Sequence, residues 1–169
     1  GWTFVWIVTA AGGTHVCARK VDAPTVYRLL AGERATMLCA APTVLITIAS
    51  APDELRAIAP RGVRVLTAGA PPAAHTIERV EEDLGWTITH VYGLTETAPL
   101  ITVCEPRAEH AALSAAERAK IKARQGVELI TSGELRVVDE QGAEVPRDGA
   151  TVGEIVVRGN VVMEGYYRD

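Results

Sequence analysis

Apolar runs and turn-forming punctuation alternate through the first hundred residues of the chain. Thr14–Ala18 is a short β-prone run after Gly12-Gly13. Asp22 can cap a helix over Ala23–Leu30, with Pro24 in the tolerated first turn and Gly32 near its stop. Ala35–Cys39 reads as a buried strand. Pro42 can open a helix carrying Val44, Leu45 and Ile48, against the weaker helix preference of its β-branched residues. Val63–Ala68, between Gly62 and Gly69, is a strand. Pro72 opens a clear helix, in which Ala73, Ile77, Val80 and Leu84 share a face and Gly85 suits the left-handed position that ends it. Thr87–Tyr92 is the next strand.

This β-α-β-α-β-α-β rhythm predicts an α/β fold, a parallel sheet flanked by helices. Right-handed crossovers bring the strand ends to a common edge, and open α/β sheets collect ligands outside the carboxyl ends of their strands. Two loops leave strands there: Gly69-Ala70-Pro71-Pro72 and Gly93-Leu94-Thr95-Glu96-Thr97. The chemistry is therefore expected at those loops.

The remainder changes character. Ser114 and Glu117 form a potential capping box for a helix running to about Arg124. Its Arg118, Lys120, Lys122 and Arg124 read most simply as a solvated face, with a phosphate role as the alternative. Beyond Gly126, Leu135–Asp139 and Glu154–Arg158, separated by tight turns, predict an antiparallel β-rich segment. The expected division is an α/β lobe over residues 1–110 and a helix plus β-rich piece, the start of a distorted barrel, over 111–169.

Composition narrows the function classes. The 169 residues are 48% hydrophobic and 22% charged, with a net charge of -4, which excludes disorder as the main state. That charge gives no footprint for a polyanion, so no nucleic-acid partner is expected. The longest apolar runs, Val5–Ala11 and Val44–Ser50, fall short of the roughly 20 residues a bilayer-spanning helix needs. Cys17, Cys39 and Cys104 are odd in number and widely spaced, which reads as buried thiols in a cytoplasmic setting. His15, His75, His90 and His110 show no paired ligand spacing, so protein-bound zinc is not expected. No Gly-x-Gly-x-x-Gly joins a strand to a helix, which disfavours a dinucleotide fold.

Tyr92-Gly93-Leu94-Thr95-Glu96 holds the densest chemistry. A tyrosine ring can stack on a planar base. Gly93 lets a ligand approach the backbone. Thr95 offers a hydroxyl to a phosphate oxygen, and Glu96 a carboxylate to a hard cation such as Mg²⁺. The composition suits a nucleotide site; an ordinary polar surface loop is the alternative.

Tyr92-Gly93-Leu94-Thr95-Glu96-Thr97 resembles the Tyr-Gly-x-Thr-Glu motif of AMP-forming acyl-CoA synthetases, within the adenylate-forming ligases. Thr67-Ala68-Gly69-Ala70-Pro71-Pro72 is similar to the family's adenine-contacting loop. Gly153-Glu154-Ile155 through Arg158-Gly159, with Met163-Glu164-Gly165-Tyr166-Tyr167, is similar to its Gly-Glu-(Ile/Leu) … Arg-Gly … Gly-Tyr stretch. Gly1-Trp2 and Ala123-Arg124-Gln125-Gly126-Val127 resemble segments of the short- and medium-chain subgroup. The resemblance implies that Tyr92 stacks on adenine, that Gly69, Ala70 and Pro71 present backbone to the base, that Thr95 holds the α-phosphate and that Glu96 binds Mg²⁺. Trp2, Gly69, Gly93 and Leu94 would border an acyl pocket; Trp2 reads equally as a core residue beside Phe4 and Trp6.

The implied activity joins a fatty or related carboxylic acid to CoA through an acyl-adenylate, with ATP as co-substrate. A carrier-protein thiol as acceptor and a non-catalytic nucleotide-binding domain are the competing readings. The family's phosphate loop, its ribose-binding Thr-Gly-Asp and its C-terminal domain with a lysine would lie outside the sequence. An internal fragment, inactive by itself, is therefore expected.

Overall fold

The structure is a computed structural model and describes residues 4–168. Six α-helices occur among these residues: α1 (Phe4–Ala10), α2 (Ala23–Gly32), α3 (Pro42–Ala49), α4 (Asp53–Ala57), α5 (Ala74–Leu84) and α6 (Ala115–Lys122). The strands are β1 (Met37–Cys39), β2 (Arg64–Thr67), β3 (Thr87–Tyr92), β4 (Thr102–Cys104), β5 (Val127–Glu128), β6 (Glu134–Val138) and β7 (Glu154–Arg158).

Local chemistry explains several boundaries. The Asp22 carboxylate accepts the Thr25 N–H at 2.9 Å, satisfying a first-turn donor of α2. α5 ends where Gly85 takes φ 65°, a left-handed conformation that costs glycine little. The capping box of α6 is reciprocal: Ser114 Oγ accepts the Glu117 N–H at 3.3 Å, and Glu117 Oε2 accepts the Ser114 N–H at 2.9 Å. Ala73 is the N-cap of α5 and exposed, while Ile77, Val80 and Leu84 form its buried face.

β1 through β5 form one sheet in sequence order. β1, β2 and β3 are parallel; β4 and β5 are antiparallel additions. Register places Leu38, Val65 and Ile88 in one row and Thr67, His90 and Cys104 in the next, on the same face. That face is dry: Val65, Ile88 and Thr67 are wholly buried, beneath a core including Tyr27, Leu45, Ile48, Ile77 and Val80. The opposite face carries Cys39, Leu66 and Thr89 in one row and Val91, Val103 and Val127 in another. It is only partly covered, Cys39 and Val127 being exposed. β6 and β7 form a separate antiparallel pair within the β-rich segment expected after Gly126.

Three expectations are corrected. Thr14–Ala18 is irregular and exposed rather than a strand. It pairs with no strand of either sheet, and its His15 ring lies 3.0 Å from the Thr9 hydroxyl of α1. Cys17 and Cys39 are exposed, and only Cys104 is a buried thiol; burial pushes its ionisation up. Lys122 is not on a solvated face. It is 7% exposed, because α6 packs on α5, and Nζ lies 2.5 Å from Glu81 Oε1. Helix α4 has no counterpart in the sequence reading. Its Arg56 pairs with Asp53 and Asp83, fixing a turn too short to show apolar periodicity.

Candidate functional site

The loops after β2 and β3 leave neighbouring strands at the same sheet edge, since the two strands pair in parallel up to Thr67 beside His90. Gly69 from one loop and Gly93, Leu94 and Thr95 from the other line one cleft of about 370 Å³. Ala68, Leu66, Val91, Cys39 and Phe4 complete its apolar side. The cleft opens on the partly covered face of the sheet. Gly69, Gly93 and Leu94, three of the four residues expected to border the acyl group, thus come together; Trp2 lies outside the described residues.

Tyr92, Ala70, Pro71 and Glu96 are not part of that lining. Strand alternation explains Tyr92: its neighbour Val91 faces the cleft, so Tyr92 points to the other side of the sheet. It is half-buried there, in register with Thr102. Ala70 and Pro71 stand exposed on the adjacent loop. The cleft therefore gathers only part of the expected site, with Tyr92, Ala70, Pro71 and Glu96 outside its lining.

The second loop is locked from within. Thr95–Thr97 form a single 3₁₀ turn. Thr97 Oγ1 accepts the Leu94 N–H at 2.9 Å and lies 3.0 Å from the Leu94 carbonyl. The Ala98–Pro99 peptide is cis, and the chain returns at once into β4, where Ile101 N–H reaches the Tyr92 carbonyl at 2.8 Å. Gly93 is required for a reason the sequence did not show. A Cβ there would lie 1.7 Å from the Pro99 carbonyl oxygen, so the loop's own backbone, not a ligand, fills that space. Gly69 is the reverse case: φ is 92°, and nothing lies within 4 Å of a Cβ built on it.

Glu96 is held by a segment 70 residues away. Tyr166 Oη donates to Glu96 Oε1 at 2.5 Å, and the Met163 N–H donates to the Glu96 carbonyl at 2.9 Å. The phenol hydrogen bond lowers the Glu96 carboxyl below its usual range, with its own backbone N–H adding to the effect. The same contact raises the Tyr166 hydroxyl. No salt bridge among the described residues involves Glu96. Tyr166 was visible in the sequence only as part of a motif. Its partnership with Glu96 has no local signal, and neither does the role of Thr97.

The donor set suits a nucleotide-bound Mg²⁺. One anionic carboxylate is present with its second oxygen free of basic partners, and no group of three or more His, Cys, Asp or Glu could cage a metal among the described residues. Mg²⁺ is commonly held by one or two carboxylates, completing its shell with water and phosphate.

Known proteins resemble this chain in sequence and fold. Residues 1–167 match the profile of the AMP-binding enzyme family. The chain is 48% identical over 170 residues to the probable acyl-activating enzyme 5, peroxisomal, of Arabidopsis thaliana, covering 100% of this chain and 30% of that protein. It is 45% identical over 168 residues to 4-hydroxybutyrate--CoA ligase 2 of Metallosphaera sedula, covering 99% of this chain and 30% of that one. The crystal structure of ATP-bound MatB from Rhodopseudomonas palustris superposes with a TM-score of 0.73 at 26% identity, over 96% of this chain and 29% of that one. The chain thus spans about 30% of the length of these curated relatives. No helix among the described residues is long and apolar enough to cross a membrane. With the profile match running along nearly the whole sequence and the motif loops meeting at one sheet edge, this chain belongs to the AMP-binding enzyme family.

Proposed function

We propose that this chain forms the adenylate- and acyl-binding centre of an ATP-dependent ligase that activates a carboxylic acid and passes it to a thiol, CoA in the leading reading. The observation that carries this is the convergence of Gly69, Gly93, Leu94 and Thr95 on one largely apolar cleft, with Glu96 next to Thr95 in the same 3₁₀ turn. The names of the relatives, an acyl-activating enzyme and a CoA ligase, support the same chemistry.

In the proposed reaction the carboxylate oxygen attacks the α-phosphorus of ATP in line. A C–O–P bond forms and pyrophosphate leaves. A thiol then attacks the acyl carbon, and AMP leaves. Two anions must meet in the first half, so donors have to wait where charge develops. Thr95, which lines the cleft, would have this role at the α-phosphate. Glu96 would hold a Mg²⁺ that neutralises phosphate charge when bound. Tyr92 would lie against the adenine ring, with Gly69, Ala70 and Pro71 offering backbone groups to its edge. Leu66, Val91 and Leu94 would contact the apolar part of the acid and exclude water. No covalent nucleophile is needed in this scheme.

A cytoplasmic setting belongs to the same proposal, with a peroxisomal one as its competitor because of the relative so named. The test is pyrophosphate release by the full-length ligase containing this chain, screened against acids of graded length. Acid-dependent release supports the proposal. ATP binding without turnover on any acid would favour a non-catalytic nucleotide-binding domain.

A further inference from the structure

We propose that Tyr166 is a positioning residue for Glu96: its phenol, 2.5 Å from Glu96 Oε1, holds one carboxylate oxygen so that the other is presented to the nucleotide-bound cation. The proposal rests on the reading of Glu96 as the metal carboxylate.

The geometry has three parts. The 3₁₀ turn that carries Glu96 is fixed at its base by Thr97. The Met163 N–H fixes the Glu96 backbone carbonyl, and Tyr166, three residues on, fixes the side chain. One segment thus grips both ends of the residue. The carboxylate keeps an oxygen free of any basic side chain, as a cation ligand requires. Tyr166 is itself 60% exposed, so hydrophobic burial does not account for its place. A hydroxyl hydrogen-bonded to a ligating carboxylate orients it, and loss of such a partner commonly costs 10- to 100-fold in metal affinity. For an exposed pair the low end, roughly tenfold, is expected.

The test uses Mn²⁺ as probe, in the full-length ligase with ATP, read by electron paramagnetic resonance. Tyr166→Phe, Glu96→Ala and the double variant are compared, with thermal midpoints recorded alongside. The expected result is roughly tenfold weaker Mn²⁺ binding in Tyr166→Phe, and no further loss when that change is added to Glu96→Ala. If Glu96→Ala weakens binding but Tyr166→Phe does not, the positioning role is overturned and the reading of Glu96 stands. Equal losses from Tyr166→Phe with and without Glu96 also overturn it, because a general structural role would act in both backgrounds. If Glu96→Ala leaves Mn²⁺ binding unchanged, the reading of Glu96 itself falls.

Discussion

Gly93 and Pro99 lie back to back across the loop that follows β3: a methyl group on Gly93 would sit 1.7 Å from the Pro99 carbonyl oxygen and 2.7 Å from the Leu100 Cα. Backbone cannot swing aside as a flexible side chain can. Gly93→Ala is therefore expected to cost about 1–3 kcal/mol or more and to displace Thr95 and Glu96. Urea unfolding, with pyrophosphate exchange in the full-length protein as the test of the proposed activity, checks this. An unchanged midpoint with full exchange activity would show that the loop tolerates the side chain.

Gly69 makes a contrasting case. Its φ of 92° disfavours any side chain, but the space around it is open. Gly69→Ala should cost about 1–2 kcal/mol from strain alone, less than Gly93→Ala. Because Gly69 lines the cleft, the KM for the acid should rise more than kcat falls. Steady-state kinetics with one acid separate the two effects.

Lys122 and Glu81 tie α6 to α5, and Glu81 Oε1 also accepts the Ile88 N–H at 2.8 Å, so one carboxylate serves two helices and a strand. Removing the lysine leaves that carboxylate largely buried and uncompensated. Lys122→Ala is expected to cost about 2–4 kcal/mol, against less than about 1 kcal/mol for the exposed Lys120→Ala. Denaturant midpoints of the two variants give the comparison.

Asp148 accepts the N–H groups of Ala150 and Thr151, each at 2.8 Å, and the Thr151 hydroxyl at 2.7 Å. These bonds lower its carboxyl to about 2. A depressed carboxylate adds stability above its unfolded pKa, near 4, and that stability is lost as pH falls through the folded value. The stability difference between the natural chain and Asp148→Asn should be constant above about pH 5 and shrink steadily toward about pH 2. A difference that widens on acidification would contradict this.

Much of the architecture was legible because its signals are local. Asp22, Gly85 and the Ser114–Glu117 box mark helix ends by satisfying or relaxing backbone groups, and the structure uses all three. The Thr87–Tyr92 strand keeps its expected bounds. What escaped depends on distant partners. β4 and β5 join the sheet only because the Gly93–Leu100 loop reverses the chain, which no apolar period records. Lys122 is a surface residue by type and buried by docking. The neighbouring loops were found from strand order, but the division of the site was not. It follows from alternation at Val91 and Tyr92, and from the contact between Glu96 and Tyr166.

The central claim is that adenine sits at the edge formed by the loops after β2 and β3. Photo-crosslinking the full-length protein with 8-azido-ATP, followed by peptide mapping, tests it most directly. The account predicts ATP-competed label on residues 68–72 and on the peptide containing Tyr92. Competed label confined to other segments, with both loops unmodified, would contradict it.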